Sequence, residues 1–246
     1  MTERKKTGSA AGVIFGILTA WMLMYVMLTT AVDIVAYHTP GYFEREYEKY
    51  DVLSSLPEMT MSEEDGLMAV TNHMMRYLKG YPDAPQLQIE VMMGGERRGF
   101  FTERELLHME DCRNIFVAAQ KLRIAALVGA LLCTLLCALL IRPEERFLGS
   151  FGTGLLSGTA LSLAGGIFLG IAFAKDFDHA FVTFHHILFD NDLWLLDPSV
   201  DMLVNIVPEG FFYDTALRII GIFLIGTVLL IAAAVIMKRR AAGKRR

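Results

Sequence analysis

This chain has few cysteines, no excess of positive charge and none of the common catalytic sequence patterns. Of its three cysteines, Cys133 and Cys137 lie within an apolar run and Cys112 precedes it. This spacing has no CxxC pair and favours neither a disulfide framework nor a cysteine metal site. There is no G-x-S-x-G elbow and no HExxH pair, so no serine nucleophile or zinc-peptidase helix is marked. The net charge of −4 gives no reason to expect nucleic acid as a partner.

Long hydrophobic runs, in contrast, are abundant. The chain of 246 residues is 54% hydrophobic, with a mean hydropathy of +0.41. Four runs reach the roughly 20 residues that a helix needs to cross a bilayer. They are Ala11–Ala36, Ile124–Ile141, Leu155–Ala174 and Ile219–Met237. The first could also be a signal peptide, but it is long for that role and no small-x-small cleavage site follows, so we expect it to remain as a span.

The distribution of lysine and arginine predicts the orientation of the four spans. Basic residues precede the first run and follow the last one, and an even number of spans brings both termini to one side. The positive-inside rule therefore predicts cytoplasmic termini in a multi-pass protein of the plasma membrane. The predicted units are a span with a basic N-terminus (1–36), an extracytoplasmic domain (37–121), two spans joined by a short cytoplasmic turn (122–174), an interfacial extracytoplasmic segment (175–217) and a last span with a basic cytoplasmic tail (218–246).

The first outer segment has the local signals of a small mixed α/β domain. A helix is predicted from Ser62 to Leu78, with Gly80 at its end. Leu87–Val91 alternates like a strand and is followed by two glycines, which favours a hairpin. Thr102 and Glu105 fit a capping box, so we expect a helix that begins there and continues into the second span.

Every histidine lies in or beside the two outer segments, and two histidine positions stand out. His108 shares a predicted helix face with Asp111 and Cys112, at spacings of three and four residues, just before the second span. His185 and His186 belong to a segment so rich in aromatic residues that we expect it to lie in the membrane interface. Because both segments are predicted to face outward, they can build one site.

These two segments resemble the signatures of a known family. The first signature is the stretch from Phe101 to Asp111. The second comprises Phe184-His185, Phe189, Asn191-Asp192, Trp194, Asp197-Pro198, Asp201, Pro208-Glu209 and Phe211-Phe212. Both are similar to the lipoprotein intramolecular transacylase family, four-span membrane proteins of Gram-positive bacteria. Leu188 and Cys112 depart from that pattern, which has phenylalanine and valine there. The fold class expected is α-helical: a four-span transmembrane helix bundle with a small mixed α/β extracytoplasmic domain.

The resemblance implies an O-to-N acyltransferase. Such an enzyme moves an acyl chain from the diacylglyceryl group of a lipoprotein's N-terminal cysteine to the α-amine of that cysteine, which gives a lyso-form lipoprotein. Substrate amine and ester belong to one molecule, so no protein nucleophile is needed and alignment can supply much of the acceleration. The expected partners are a diacylglyceryl-modified lipoprotein N-terminus and membrane lipid. We expect a monomer, no cofactor and no metal, with the active site at the outer leaflet.

Histidine acid–base chemistry suits this reaction, because an imidazole titrates near neutrality. His108 and His185 are the predicted catalytic residues, one as base and one as acid, in either order. His186 directly follows His185 and is the alternative to it. Asp111 is a candidate to orient His108, and Asp192 to hold His185 in one tautomer. Glu105, Arg104 and Trp194 complete the supporting set, with Trp194 favoured as an interface anchor over a substrate contact.

Two other functions remain open from the sequence. The three histidines His108, His185 and His186 with a carboxylate could bind zinc in a membrane hydrolase, although no ligand spacing marks such a site. A transporter or non-enzymatic partner protein is the other alternative. Ion pathways usually place ionisable residues deep within spans, and the second, third and fourth runs contain none.

Overall fold

The computed structural model describes residues 2–56, 63–93 and 95–244 and is mainly helical. In chain order the elements are α1 (Thr2–His38), α2 (Tyr42–Lys49), α3 (Val52–Ser55), α4 (Glu63–Lys79), β1 (Glu90–Met93), β2 (Glu96–Gly99), α5 (Glu103–Leu140), α6 (Glu144–Lys175), α7 (Phe177–Leu188), α8 (Leu203–Ile206) and α9 (Glu209–Gly243).

Within these described ranges, four helices are long and apolar enough to cross a membrane. They comprise residues Ala10–His38 of α1 and the whole of α5, α6 and α9. Each contains one of the predicted runs, except that Ile141 lies one residue beyond the end of α5. A 38-residue helix such as α5 is about 57 Å long, whereas the hydrocarbon core of a bilayer is about 30 Å thick. The four-span helical fold predicted from the sequence is confirmed, and α5 has a polar first part in addition to its apolar run.

The chain forms two compact units. The first comprises Met1–Ala31, Lys121–Ala180 and Ile219–Arg246. Its buried core includes Ala20, Cys137 and Phe151. Gly16 and Gly154 let α1 and α6 approach closely, because a Cβ atom on Gly154 would lie 2.8 Å from the Cα atom of Gly16. Small residues at helix contacts are the usual means of close packing between membrane helices.

The second unit comprises Val32–Gln120 and Phe181–Arg218. Its core contains Leu67, Val70, Phe100 and Ile206, all buried. The predicted hairpin is present, with Glu90 paired to Gly99 and Met93 to Glu96. The strand begins at Glu90 rather than Leu87, and the backbone pairing reaches back as far as Ile89, whose carbonyl accepts from the amide of Phe100 at 2.8 Å. Gly95 adopts the positive φ of 84° that the turn requires, while Gly94 lies outside the described residues.

Helix α4 ends as its sequence predicts. Gly80 has a φ of 75° and donates to the carbonyl of Tyr77, while Tyr81 donates to the carbonyl of Arg76. This pair of hydrogen bonds satisfies the last carbonyls of the helix in a Schellman motif, which needs a residue at positive φ. The predicted capping residue at the other end, Ser62, lies outside the described residues.

Candidate active site

The site is built within the second unit, and it starts from the first turn of α5. The amide of Thr102 donates to the Glu105 carboxylate at 2.7 Å, and the amide of Glu105 lies 3.3 Å from the Thr102 hydroxyl oxygen. These two contacts are the predicted capping box. Glu105 is 0% exposed and also accepts from the amide of Leu203, while the Thr102 hydroxyl donates to Asp201 at 2.8 Å. The cap therefore also connects α5 to the chain that follows α7.

Three further hydrogen bonds join α5 to the loop of residues 190–195. Arg104 donates to the backbone carbonyl of Asp192, and its Nε donates to that of Leu195 at 3.1 Å. About two turns later, Asp111 accepts from the side-chain amide of Asn191 at 2.9 Å. The loop is thus held against the face of α5 that carries His108.

His185 lies on α7 in an aromatic environment and is 8% exposed. Its Nδ1 atom lies 2.8 Å from the carbonyl oxygen of Phe181. The Trp194 ring stacks on the imidazole with centroids 4.7 Å apart, and the Trp194 indole N–H donates to the carbonyl of Asn191 at 2.9 Å. Phe181 and Phe189 contact the ring on other sides, with centroids at 4.1 and 5.9 Å.

His108 and His185 come together in this unit. Their ring centroids are 6.2 Å apart, and the edge of Phe189 contacts His108 at 5.1 Å. His108 is only 6% exposed. Its Nε2 atom lies 3.6 Å from the sulfur of Cys112, and its buried Nδ1 atom has no hydrogen-bond partner in the described part of the chain. A buried polar atom without a partner costs about 1–3 kcal/mol, which makes this nitrogen a candidate for contact with a ligand.

The electrostatics of the site favour a neutral His185. Burial lowers the pKa of His185 below its usual value of 6.5, and the neighbouring His186 lowers it further. The hydrogen bond to the Phe181 carbonyl acts in the opposite direction and is the smaller effect next to burial. A neutral imidazole can accept a proton at pH 7, which is the property a general base needs.

Three residues that were predicted to support the two histidines, Asp192, Asp111 and Trp194, make other contacts in the structure. The Phe181 carbonyl, and not the predicted Asp192 carboxylate, is the hydrogen-bond partner of His185 Nδ1. Asp192 is exposed and contributes its backbone carbonyl to Arg104. Asp111 bonds to Asn191 and affects His108 only through its charge. Trp194 is buried against the His185 ring, and its predicted part as an interface anchor stays a prediction.

The adjacent residues His185 and His186 have different surroundings. His186 is exposed and makes a T-shaped contact with the Trp194 ring, with centroids 5.2 Å apart. The sequence reading gave no role to Phe181 or Asn191. Phe181, His185 and Phe189 are spaced by four residues, so the sequence could have predicted that they share one helix face. It could not have predicted that the backbone carbonyl of Phe181 bonds to His185, because every residue type has the same carbonyl. Within the described residues no group of three or more His, Cys, Asp or Glu side chains is arranged to hold a metal ion.

The fold and the site together define a multi-pass helical membrane protein with two buried imidazoles on different helices. A family model described as "Lipoprotein intramolecular transacylase Lit" matches residues 17–212. Because the match covers most of the chain, the chain belongs to this family.

Solved structures share the same fold. The in meso structure of the membrane integral lipoprotein intramolecular transacylase Lit from Bacillus cereus has a TM-score of 0.70 and 22% identity, covering 96% of this chain and 97% of that one. A variant of that protein with a histidine-to-arginine substitution also has a TM-score of 0.70, at 20% identity and 99% coverage of both chains.

The chain also has a relative by sequence. An uncharacterized protein of Aquifex aeolicus (strain VF5) is 30% identical over 148 residues, which are 58% of this chain and 61% of that relative. The chain therefore spans less than two thirds of that relative's length.

Proposed function

We propose that this protein is an O-to-N acyltransferase. It takes a diacylglyceryl-modified lipoprotein N-terminus and moves one acyl chain from the glyceryl oxygen to the α-amine of the same cysteine, which yields a lyso-form lipoprotein. The observation that carries the proposal is the buried pair of His108 and His185, 6.2 Å apart, in a chain of the transacylase family.

His185 is the general base. A carbonyl oxygen can only accept a hydrogen bond, so the contact between His185 Nδ1 and the Phe181 carbonyl requires the proton on Nδ1. In the neutral ring Nε2 is then unprotonated and carries the lone pair that can take a proton from the attacking amine. This tautomer favours His185 as the base, which is one of the two orders that the sequence leaves open.

His108 acts as a neutral hydrogen-bond donor. Placing a charge on a ring that is 6% exposed is costly, and its acidic neighbour Asp111 is engaged with Asn191. A neutral N–H directed at the developing oxyanion stabilises the tetrahedral intermediate without any change of charge on the protein. The unpaired Nδ1 is the atom for this role.

The steps balance with these two groups alone. The neutral α-amine attacks the ester carbonyl, a C–N bond forms, and the carbonyl oxygen becomes an oxyanion that accepts from His108. His185 Nε2 removes one proton from the nitrogen. When the C–O bond to the glyceryl group breaks, the protonated His185 returns that proton to the leaving alkoxide. Both rings end in their starting state, and no acyl group is attached to the protein.

The surface of the second unit supports a site at the outer membrane interface. Apolar side chains of α7, the following loop and the first turns of α9 are exposed, among them Ile187 at 76% and Tyr213 at 58%, together with Phe184 and Leu195. An apolar surface of this kind is stable against lipid and costly in water. We therefore propose that the histidine pair lies at the level of the glyceryl esters of the outer leaflet. The distribution of basic residues supports cytoplasmic termini. The proposed limits between the units remain those of the sequence prediction, at residues 36, 121, 174 and 217.

Mass spectrometry of a lipoprotein N-terminus tests this function. Purified protein as a monomer, with a diacylated lipopeptide and no added cofactor, should move one acyl chain to the α-amine with no change of mass. Fragmentation locates the chain on nitrogen. A lipopeptide with a blocked α-amine should remain diacylated. Release of free fatty acid from the blocked peptide, or an acyl chain trapped on the protein, would replace this mechanism with a hydrolase or a covalent transferase.

A further inference from the structure

Cys112 occupies an unusual position beside the site. It lies one turn after His108 on α5, and its sulfur is 3.6 Å from His108 Nε2. This spacing of four residues brings side chains together on one helix face. The thiol is free and half-buried. The other cysteines, Cys133 and Cys137, belong to the apolar run of α5. The thiol that lies beside a histidine ring nitrogen is that of Cys112.

The contact has two possible directions, and they lead to different tautomers. If Nε2–H donates to sulfur, Nδ1 carries a lone pair. If the thiol donates to Nε2, the ring proton lies on Nδ1. A thiol is a weak donor and also a weak acceptor. Its proton is nevertheless much more acidic than the N–H of a neutral imidazole, and the unprotonated imidazole nitrogen is a stronger base than a thiol sulfur. The second direction is therefore the stronger hydrogen bond, and it leaves an N–H at the buried, unpartnered Nδ1.

Other groups around His108 do not compete for its ring nitrogens. The Asp111 carboxylate accepts from Asn191, and Arg104 donates to the carbonyls of Asp192 and Leu195. His185 meets His108 ring to ring with centroids 6.2 Å apart and directs its own Nδ1 at Phe181. The side chain that can choose the tautomer of His108 is therefore that of Cys112.

We propose that Cys112 is a positioning residue for His108: its thiol donates to Nε2, keeps the ring proton on Nδ1, and so presents an N–H to the reacting carbonyl oxygen. The last step rests on the proposed function, but the tautomer itself does not. Cys112 touches neither substrate nor the reacting atoms and acts only through His108.

Nitrogen NMR of histidine-labelled full-length protein in detergent tests the tautomer directly. The His108 resonances are assigned by their loss in His108→Gln. In the parent protein we expect Nδ1 protonated and Nε2 unprotonated at pH 7.5. In Cys112→Val, which keeps an apolar side chain of similar size, we expect the proton to move toward Nε2. A parent protein with the proton on Nε2, or a tautomer unchanged in Cys112→Val, would overturn the proposal.

Kinetics supply the second readout. Cys112→Val should lower kcat by about tenfold with KM unchanged, because a weak hydrogen bond shifts a tautomer population by about that factor, and Cys112→Ser should recover part of the loss. Cys133→Val is the matched control and should leave both constants unchanged. If Cys112→Val does not fold, Cys112→Ala and the parent spectrum still decide the tautomer. If the parent has Nδ1–H but transfers no acyl chain, the proposed function fails alone and the positioning stands.

Discussion

At the scale of the residue, the two imidazoles differ in what holds them. His185 Nδ1 bonds to a backbone carbonyl one turn earlier, and its ring is stacked on Trp194. His108 has a weak sulfur contact at one nitrogen and nothing in the described chain at the other. Two histidines in one site can therefore serve as base and as hydrogen-bond donor without exchanging roles, because their surroundings fix different atoms for contact.

Replacing His185 by glutamine should lower acyl transfer by about a thousandfold, since a general base contributes about 10²–10⁴-fold. Glutamine is neutral and of similar size, so helix α7 should survive although the ring stacked on Trp194 is removed. Mass spectrometry of the lipopeptide product measures the rate. His179→Gln is the control, because that side chain is exposed and only its backbone amide is bonded, to Asp176. Near-full activity of His185→Gln would refute the role of His185 as base.

The pH dependence of transfer should report the same ring. Burial and then His186 lower the pKa of His185 below 6.5, so the ring stays neutral at pH 7 and activity should fall only as pH drops through that lowered pKa. His186→Ala removes a neighbouring charge and should shift the acidic limb to higher pH with little change in the maximum. A limb that stays in place in His186→Ala, or moves to lower pH, would show that another group titrates.

At the scale of the element, the first turn of α5 decides where His108 lies. Glu105 accepts from the amides of Thr102 and Leu203 and is fully buried. A local cap predicted from sequence therefore also makes a contact between segments almost 100 residues apart, which no local pattern indicates.

Glu105→Gln should destabilise the protein by about 2 kcal/mol. Glutamine has one acceptor oxygen, and its NH₂ group would face an amide donor, so a buried N–H loses its partner. The measurement is the midpoint of thermal unfolding in detergent. Glu103→Gln is the matched control in the same turn, exposed, and should change stability by less than about 0.5 kcal/mol. Equal midpoints for the two variants would contradict the buried role of Glu105.

The loop of residues 190–195 should be sensitive to the shape of the Arg104 head group. The guanidinium reaches the carbonyls of both Asp192 and Leu195, and a lysine ammonium cannot reproduce that fork. Because the loop carries Trp194 against His185, Arg104→Lys should lower kcat/KM by about tenfold to a hundredfold, as small misplacements do in catalysis. Arg97→Lys on β2, where the side chain pairs with Glu90 at 3.1 Å, should be silent. Unchanged kinetics in Arg104→Lys would remove the loop from the mechanism.

At the scale of the whole molecule, the orientation in the membrane is the decisive expectation. In a cysteine-free background, Pro85→Cys and Val200→Cys should react with an impermeant maleimide added outside spheroplasts, since both positions are exposed. Ala242→Cys should react only after permeabilisation, as the basic tail is predicted to be cytoplasmic. Labelling of position 85 or 200 from the cytoplasmic side alone would place the histidine pair on the wrong face for this substrate.

Composition and periodicity were sufficient for a large part of this protein. Length and apolarity alone mark the membrane helices, because backbone in lipid must satisfy its own hydrogen bonds. The Schellman end of α4 and the capping box of α5 follow from Gly80, Thr102 and Glu105, since caps are local interactions. The two histidine segments were recognisable from their residues, but the partners of the rings were not.

The sequence by itself determined the helical membrane class, the caps and the two segments that carry histidine, because those features depend on residues close together in the chain. Only the tertiary structure decided that Phe181 holds His185, that Trp194 is buried beneath it and that Asp111 bonds to Asn191. It also decided that one nitrogen of His108 has no partner in the described part of the chain. Each of these depends on a backbone atom or on a contact between segments up to 80 residues apart. A backbone carbonyl is the same in every residue type, so its role appears only when packing brings it to a particular side chain.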